Sequence, residues 1–373
     1  MSAGPRPAAA IAALPVSKPF IAPEELGKRA GLQELLRLGA NESAFGPPPR
    51  ALDAMQAELP HTAWYGDPES ADLREALATR HRCAFENLCV AAGIDDLLGL
   101  AVRAYLSPGD TAVTTLGTYP TFVYHVTGYG ARLETAPYDG AGRVQLAELA
   151  ALAHANGARL VYLANPDNPS GSFAEPAAVA QFVAALPPET VLVLDEAYAD
   201  FVAPAELLDT SGDPRVIRMR TFSKAYGLAG ARIGYAIAAP QVVETFQKIR
   251  LQYGVNRTAQ IGALAALGED GFVARVVRET AQGREEYYRL GESLGLATLP
   301  SSANFVCFDL GSRTRAEGMV EELLRRAVFI RKPGGPPLDR YVRVTVGTND
   351  ERVRFASSFT AALQALDAVL APL

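Results

Sequence analysis

Val191-Leu192-Val193-Leu194-Asp195-Glu196-Ala197-Tyr198 decides how the rest of this chain is read. Four aliphatic residues in a row, two of them β-branched, end on a carboxylate. The run is short and apolar at every position, as strands buried on both faces of a parallel sheet are. Asp195 then stands at the mouth of that strand, where a buried carboxylate is costly unless a cation pairs with it. Working outward, 111–115 and 160–163 are similar runs bounded by turn signals. Helical stretches such as 72–81 and 174–185 lie between and around them. That alternation argues βαβ units on a mostly parallel sheet, an α/β fold with helices on the sheet's faces.

Beyond about residue 275 the pattern changes. A long polar helix over 276–294 leads into 302–309, then a helix over 314–326. Strand-like runs at 327–331 and 341–346 precede a terminal helix, which reads as a smaller α+β domain. A mixed helical pattern also runs near 23–38. The expected division is an N-terminal arm and segment over 1–49 joining the small domain, a large domain over 50–272 and a small C-terminal domain over 273–373.

Composition narrows the function. A chain of 373 residues has room for two to three domains, and 49% hydrophobic with 20% charged is a globular balance. The net charge of −6 argues against nucleic acid as the partner, because phosphate binding needs a basic surface. Cys83, Cys89 and Cys307 have neither a disulfide framework nor a zinc spacing, so no metal is expected. His61, His81, His125 and His154 form no ligand-spaced pair. The apolar run near residues 8–16, bracketed by Pro5, Pro7 and Pro15, reads as an arm on a dimer rather than an export signal. No stretch approaches the ~20 apolar residues of a membrane span. A cytoplasmic enzyme without membrane partners is expected. G-x-G-x-x-G, G-x-x-x-x-G-K-[ST], G-x-S-x-G and H-E-x-x-H are all absent.

Four segments carry the chemistry. Gly93-Ile94-Asp95-Asp96-Leu97 opens a helix, whose free amides can hold a phosphate, although an Asp there is also an ordinary cap. Asn165-Pro166-Asp167-Asn168-Pro169-Ser170-Gly171 makes a rigid turn after a strand. The third is the Asp195 strand. The fourth, Thr221-Phe222-Ser223-Lys224-Ala225-Tyr226-Gly227-Leu228-Ala229-Gly230-Ala231-Arg232, places an amine among hydroxyls, with an arginine eight residues on. Ligands of open α/β sheets bind outside the carboxyl ends of the strands. A phosphate site, a lone carboxylate, Asn and Tyr donors and an amine together match a cofactor with a phosphate, a basic ring nitrogen, a phenolic oxygen and an aldehyde. Pyridoxal 5′-phosphate is such a cofactor.

On these residues the chain resembles the fold-type-I pyridoxal-phosphate-dependent aminotransferases of class I/II, and most of all their histidinol-phosphate branch. The likeness runs from Leu38 onward. It includes Asn41-Glu42-Ser43-Ala44-Phe45-Gly46-Pro47, Trp64-Tyr65-Gly66-Asp67-Pro68, Ser301-Ser302-Ala303-Asn304-Phe305 and Tyr341-Val342-Arg343-Val344-Thr345-Val346-Gly347-Thr348. The resemblance implies a large domain with a mostly parallel α/β/α sheet plus a smaller α+β domain. It implies that Lys224 forms the internal aldimine and shuttles a proton, and that Asp195 pairs with the pyridine nitrogen. Tyr198 and Asn168 would contact the phenolic oxygen, and Tyr119 would cover the ring. The amides of Ile94 and Asp95, with Ser223 and Arg232, would hold the phosphate, joined by Tyr65 from the partner of a homodimer. Arg343 would clamp the substrate α-carboxylate with Asn41 nearby. Arg331 and Tyr253 match contacts to a distal phosphate, though both could serve a different side chain.

The implied activity is transamination between small amino and keto substrates, with histidinol phosphate and 2-oxoglutarate/glutamate as first choice. An aminotransferase for another amino acid, such as an aromatic one, or a threonine-phosphate-type decarboxylase remains open. A non-enzymatic binding module conflicts with the complete Asp195/Lys224/Arg232 set. Departures from the family pattern are Ser43, Ala44, Ile94 and Gly254. Arg257, an extra arginine, could read an anionic side chain or lie on the surface.

Overall fold

Seven strands lie side by side in the order Leu88–Ala91, Gly234–Ile237, Val216–Thr221, Val191–Asp195, Leu160–Ala164, Thr111–Thr115 and Arg132–Ala136. The computed structural model describes residues 4–15, 21–203, 207 and 213–370; parts of the expected N-terminal arm, 1–3 and 16–20, lie outside the described residues. All neighbours in the sheet are parallel except around Gly234–Ile237, which runs antiparallel to both of its partners. The sheet is therefore mixed, with mostly parallel strands.

Alternation along the central strands sends side chains to two separate cores. Leu160, Tyr162, Val191 and Val193 face the core built with the helices Ile94–Tyr105, Pro120–Gly128 and Pro240–Gln247. Val161, Leu163, Leu192 and Leu194 face the core under Leu146–Ala155 and Pro176–Ala185. Both faces are covered, which is why these runs carry no polar alternation. Arg132–Ala136 sits at the sheet edge, and its Arg and Glu accord with that position.

Around residue 270 the chain enters a second assembly. Tyr341–Thr345, Phe305–Asp309 and Thr298–Leu299 form an antiparallel sheet. The helices Asp270–Ser293, Arg313–Arg325 and Asn349–Leu370 accompany it, and Tyr287, Phe308, Phe355 and Phe359 interlock in the shared core. The helical pattern near 23–38 does not persist through the segment. The helix is only Pro23–Arg29, and Leu36–Arg37 is a strand parallel to Val328–Phe329. Its partner lies almost 300 residues away, so pairing there overrides local periodicity. Among the described residues no helix is long and apolar enough to cross a membrane.

The strand ends converge. Ala164, Asp195 and Thr221 finish adjacent parallel strands, and the chemical segments follow at that edge. The loop after Thr221 is locked by Gly227, whose φ is +67° and whose added Cβ would stand 2.0 Å from the Gly46 carbonyl oxygen. Gly227→Ala must therefore both strain the backbone and displace the 46–47 segment. A loss of about 2–4 kcal/mol in urea unfolding is expected. An unchanged midpoint would show that the contact yields freely.

Candidate active site

One cavity of about 910 Å³ opens at the carboxyl edge of the large sheet. Asn41, Ile94, Asp95, Tyr119, Asn168, Asp195, Tyr198, Ser223, Lys224, Arg232, Arg331 and Arg343 all line it. Residues as far apart as Asn41 and Arg343 thus meet in one space. Two predicted residues do not line the cavity of their own chain. Tyr65 is 76% exposed and Tyr253 is 55% exposed. Their rings stack on each other, with centroids 4.5 Å apart. Arg257 is also outside: it pairs with Glu58 and lies over Trp64.

Asp195 occupies the floor and is 5% exposed. Its carboxylate accepts a hydrogen bond from the Tyr162 hydroxyl at 2.7 Å and from the Ala197 amide at 2.9 Å. Burial lifts its pKa from 3.8 to about 6, against these two donors. Among the described residues it forms no ion pair. Glu196, one residue on, turns away from the cavity into a buried ion pair with Arg218 at 3.0 Å.

Lys224 follows the next strand, with its Nζ 5.7 Å from the centre of the Tyr198 ring. Burial first, then the positive charge of Arg343, brings its pKa from 10.5 down to about 8. An amine so placed is neutral for a large share of the time near pH 8, which nucleophilic attack requires. Tyr198 is buried, and its hydroxyl accepts a hydrogen bond from Asn41 Nδ2 at 2.9 Å. Burial pushes that hydroxyl's pKa up to about 12.

A second group of donors lies at the start of the Ile94–Tyr105 helix. Gly93 precedes it with φ +90°, and an added Cβ would stand 2.7 Å from Arg232 Nη2. The missing side chain leaves the first helical amides open beside a guanidinium. Asp95 Oδ1 accepts from the Tyr119 hydroxyl at 2.9 Å, and its Oδ2 lies 3.4 Å from Arg232. Ser223 Oγ is 2.9 Å from Thr221 Oγ1.

The opposite wall is built from both ends of the chain. Arg343 donates to Asn168 Oδ1 and, at 3.1 Å, to the Gly39 carbonyl. Its guanidinium lies 5.3 Å from the centre of the Phe305 ring, and its Nε has no hydrogen-bond partner among the described residues. Arg331 pairs with Arg343 across an isolated antiparallel bridge. Burial and that neighbouring charge both lower the Arg331 pKa. Two half-buried cations at facing backbone positions favour an anionic ligand. Asn41 is held by Thr345: its amide donates to Thr345 Oγ1 at 3.0 Å, and that hydroxyl is 3.2 Å from Asn41 Oδ1.

A family profile described as "Aminotransferase class I and II" matches residues 33–359. The chain belongs to the class I and II aminotransferases. This aminotransferase is similar to the histidinol-phosphate aminotransferase of Moorella thermoacetica, at 34% identity over 337 residues, 89% of this chain and 86% of that one. It is similar to that of Symbiobacterium thermophilum, at 35% identity over 342 residues, 91% and 94% of the two chains. The crystal structure of histidinol-phosphate aminotransferase from Sinorhizobium meliloti in complex with pyridoxal-5′-phosphate superposes with a TM-score of 0.93, at 42% identity over 98% of this chain and 99% of that one. Pyridoxal phosphate is thus the cofactor, and the enzyme is a pyridoxal-phosphate-dependent aminotransferase. The site fits that cofactor. A buried carboxylate without an ion pair suits a protonated ring nitrogen, and the open helix start beside Arg232 suits a phosphate.

Sequence reasoning missed Tyr162, Thr345 and Lys332. Tyr162 stands within an apolar strand and carries no motif; only the strand's alternation, combined with its neighbour's register, would have found it. Thr345 lay inside a quoted stretch without an assigned part, and Lys332, the neighbour of Arg331, also lines the cavity.

Two pH dependences follow in the aminotransferase freed of cofactor. Asp195 binds its proton more tightly folded, at about 6, than unfolded, near 3.9, so its burial costs nothing below pH 4, progressively more from pH 4 to 6, and a constant amount above. Asp195→Asn is expected to stabilise this form by about 1–2 kcal/mol at pH 7.5 and not at pH 4. Urea unfolding at both values checks it, and equal effects at the two would contradict it. Cofactor attachment, followed by its absorption, should quicken tenfold per unit of pH up to a plateau near 8, where Lys224 loses its proton. A plateau near 10.5 would contradict a buried amine.

Proposed function

We propose that this aminotransferase exchanges the amino group of histidinol phosphate with 2-oxoglutarate/glutamate, and so serves histidine biosynthesis. The observation that carries this reading is the facing pair Arg331 and Arg343 in the cofactor cavity. Relatives bearing the histidinol-phosphate aminotransferase name over nearly the whole chain support it.

Bound pyridoxal phosphate supplies an aldehyde that holds the amino group and a ring that withdraws electrons from Cα. Asp195 keeps the proton on the ring nitrogen. Lys224 Nζ would hold the cofactor's aldehyde carbon and shuttle a proton at the substrate Cα. Tyr198 and Asn168 bind the phenolic oxygen, and Tyr119 covers the ring. The amides of Ile94 and Asp95, with Ser223 and Arg232, bind the phosphate group. Arg343 takes the α-carboxylate of the amino-acid partner in its fork, with Asn41 beside it. Arg331 takes the distal anion.

The same reading assigns residues 50–272 to cofactor binding and the two chain ends to the smaller domain. It also assigns a homodimer in which Tyr65 of each subunit completes the neighbour's phosphate site, and Tyr253, stacked on Tyr65, is a contact to the substrate's distal phosphate. The exposed Trp64, Tyr65, Leu251 and Tyr253 support that interface. The enzyme is placed in the cytoplasm.

The test mixes the yellow holoenzyme with histidinol phosphate and a panel of amino acids. Histidinol phosphate should bleach the cofactor absorption fastest, and 2-oxoglutarate should restore it. Failure to bleach sinks the substrate assignment, and carbon dioxide release without 2-oxoglutarate would indicate a decarboxylase. Arg331→Gln is expected to raise KM for histidinol phosphate about ten- to hundredfold, the loss of one or two charge-assisted bonds, while leaving unphosphorylated histidinol unchanged. Equal effects on both would remove Arg331 from the distal site.

A further inference from the structure

Tyr162 lies in the middle of an otherwise aliphatic strand and is fully buried. Strand register sets it opposite Val193, two residues before Asp195 on the neighbouring parallel strand. Residues two apart share a face, so the phenol points along the same face as Asp195 and reaches it diagonally. The ring is stacked on Phe122, with centroids 4.7 Å apart and planes 16° from parallel. Phe122 belongs to the helix Pro120–Gly128, whose N-cap is Tyr119. One ring therefore rests against the helix that presents Tyr119 and donates its hydroxyl proton to Asp195 Oδ2 at 2.7 Å. The other Asp195 oxygen is held by a backbone amide, so Tyr162 is the only side chain among the described residues that hydrogen-bonds this carboxylate.

We propose that Tyr162 is a positioning residue of the transamination site, which aims the Asp195 carboxylate and keeps it ionised toward the ring nitrogen. The proposal rests on the part assigned to Asp195 under the proposed function. A hydrogen bond to a carboxylate favours its charged form and lowers its basicity. Burial holds the Tyr162 hydroxyl well above the ordinary tyrosine pKa, so it stays a donor throughout the working range. The other groups that act on Asp195 are Asp95, which raises its pKa, and Lys224, which lowers it. Tyr119 and Tyr198 also feel its charge, and Asp167 and Tyr119 act on Tyr162. Without the Tyr162 donor the balance shifts toward a protonated Asp195, and the ring nitrogen loses its proton to it.

Tyr162→Phe removes one oxygen and keeps the ring stack. The holoenzyme should retain its cofactor, lose about tenfold or more in kcat in both half-reactions, and change KM less than twofold. Its bound-cofactor absorption should titrate at a shifted pH. In the cofactor-free protein, the pH below which stability improves should move upward from about 6. Unchanged kcat, spectrum and pH profile together would overturn the proposal. Tyr162→Phe is also to be made in an Asp195→Asn background and unfolded without cofactor. There it should no longer alter the pH profile, and an equal effect in both backgrounds would overturn the proposal. If Tyr162→Phe itself fails to fold, an ortho-fluorinated tyrosine placed at position 162, a stronger donor on the same ring, should move the stability onset of the cofactor-free protein downward from about 6; an unmoved onset would also overturn the proposal. Should Asp195→Asn alone leave transamination intact, the reading of Asp195 fails, while the coupling measured in the cofactor-free protein still reports on Tyr162 separately.

Discussion

A carboxylate buried without an ion pair organises this molecule. Asp195 ends a strand covered on both faces, so little water reaches it, and no cationic side chain forms an ion pair with it among the described residues. Two hydrogen bonds offset only part of the cost of burying that charge. A cation delivered from outside would complete its pairing, and Lys224, Arg232 and Arg343 line the same cavity. Lys224 is brought down in pKa by the same lack of solvent. Arg232 and the open start of the Ile94–Tyr105 helix offer an anion site along the same edge. One desolvated edge thus keeps an amine partly neutral and leaves a carboxylate in want of a positive charge. Those are opposite perturbations with a single physical cause.

The substrate wall depends on a different constraint. Asn41 and Gly39 come from the N-terminal segment, Arg331 and Arg343 from the C-terminal strands. Leu36–Arg37 pairs with Val328–Phe329, and the Thr345 amide donates to the Leu38 carbonyl at 2.8 Å. These backbone bonds hold residues 36–38 in register with the strands that carry the arginines. The same joint closes over the loop of Lys224 through the tight approach of Gly227 to Gly46. The loop of Lys224 and the wall of Arg331 and Arg343 are therefore joined through the same 36–47 segment.

Part of the large sheet was legible because Leu160–Ala164 and the residues before Asp195 are apolar runs bounded by turn signals, whereas Val216–Thr221 carries Arg218 and Arg220 and has no such mark. The reading broke down where long-range pairing decided the outcome. The segment near residue 36 has a helical pattern but forms a strand, because a partner strand nearly 300 residues on supplies the hydrogen bonds. The antiparallel direction of Gly234–Ile237 has no mark in its own composition. Tyr162 reads as one more apolar residue until its register against Val193 is known. Arg257, which could have been a substrate contact, is drawn away by Glu58.

What the sequence by itself determined was the set of chemical groups and their family. An amine, a carboxylate, the amides of a helix start and several arginines, at or near strand-like runs, are a combination that few chemistries require. What only the tertiary structure decided was which of these groups face one another and what state they are in. Desolvation depends on every neighbour packed around a group, and strand register depends on partners far away in the chain. The pKa values of Asp195 and Lys224, the Tyr162 hydrogen bond and the facing of Arg331 with Arg343 are therefore properties of the assembled fold.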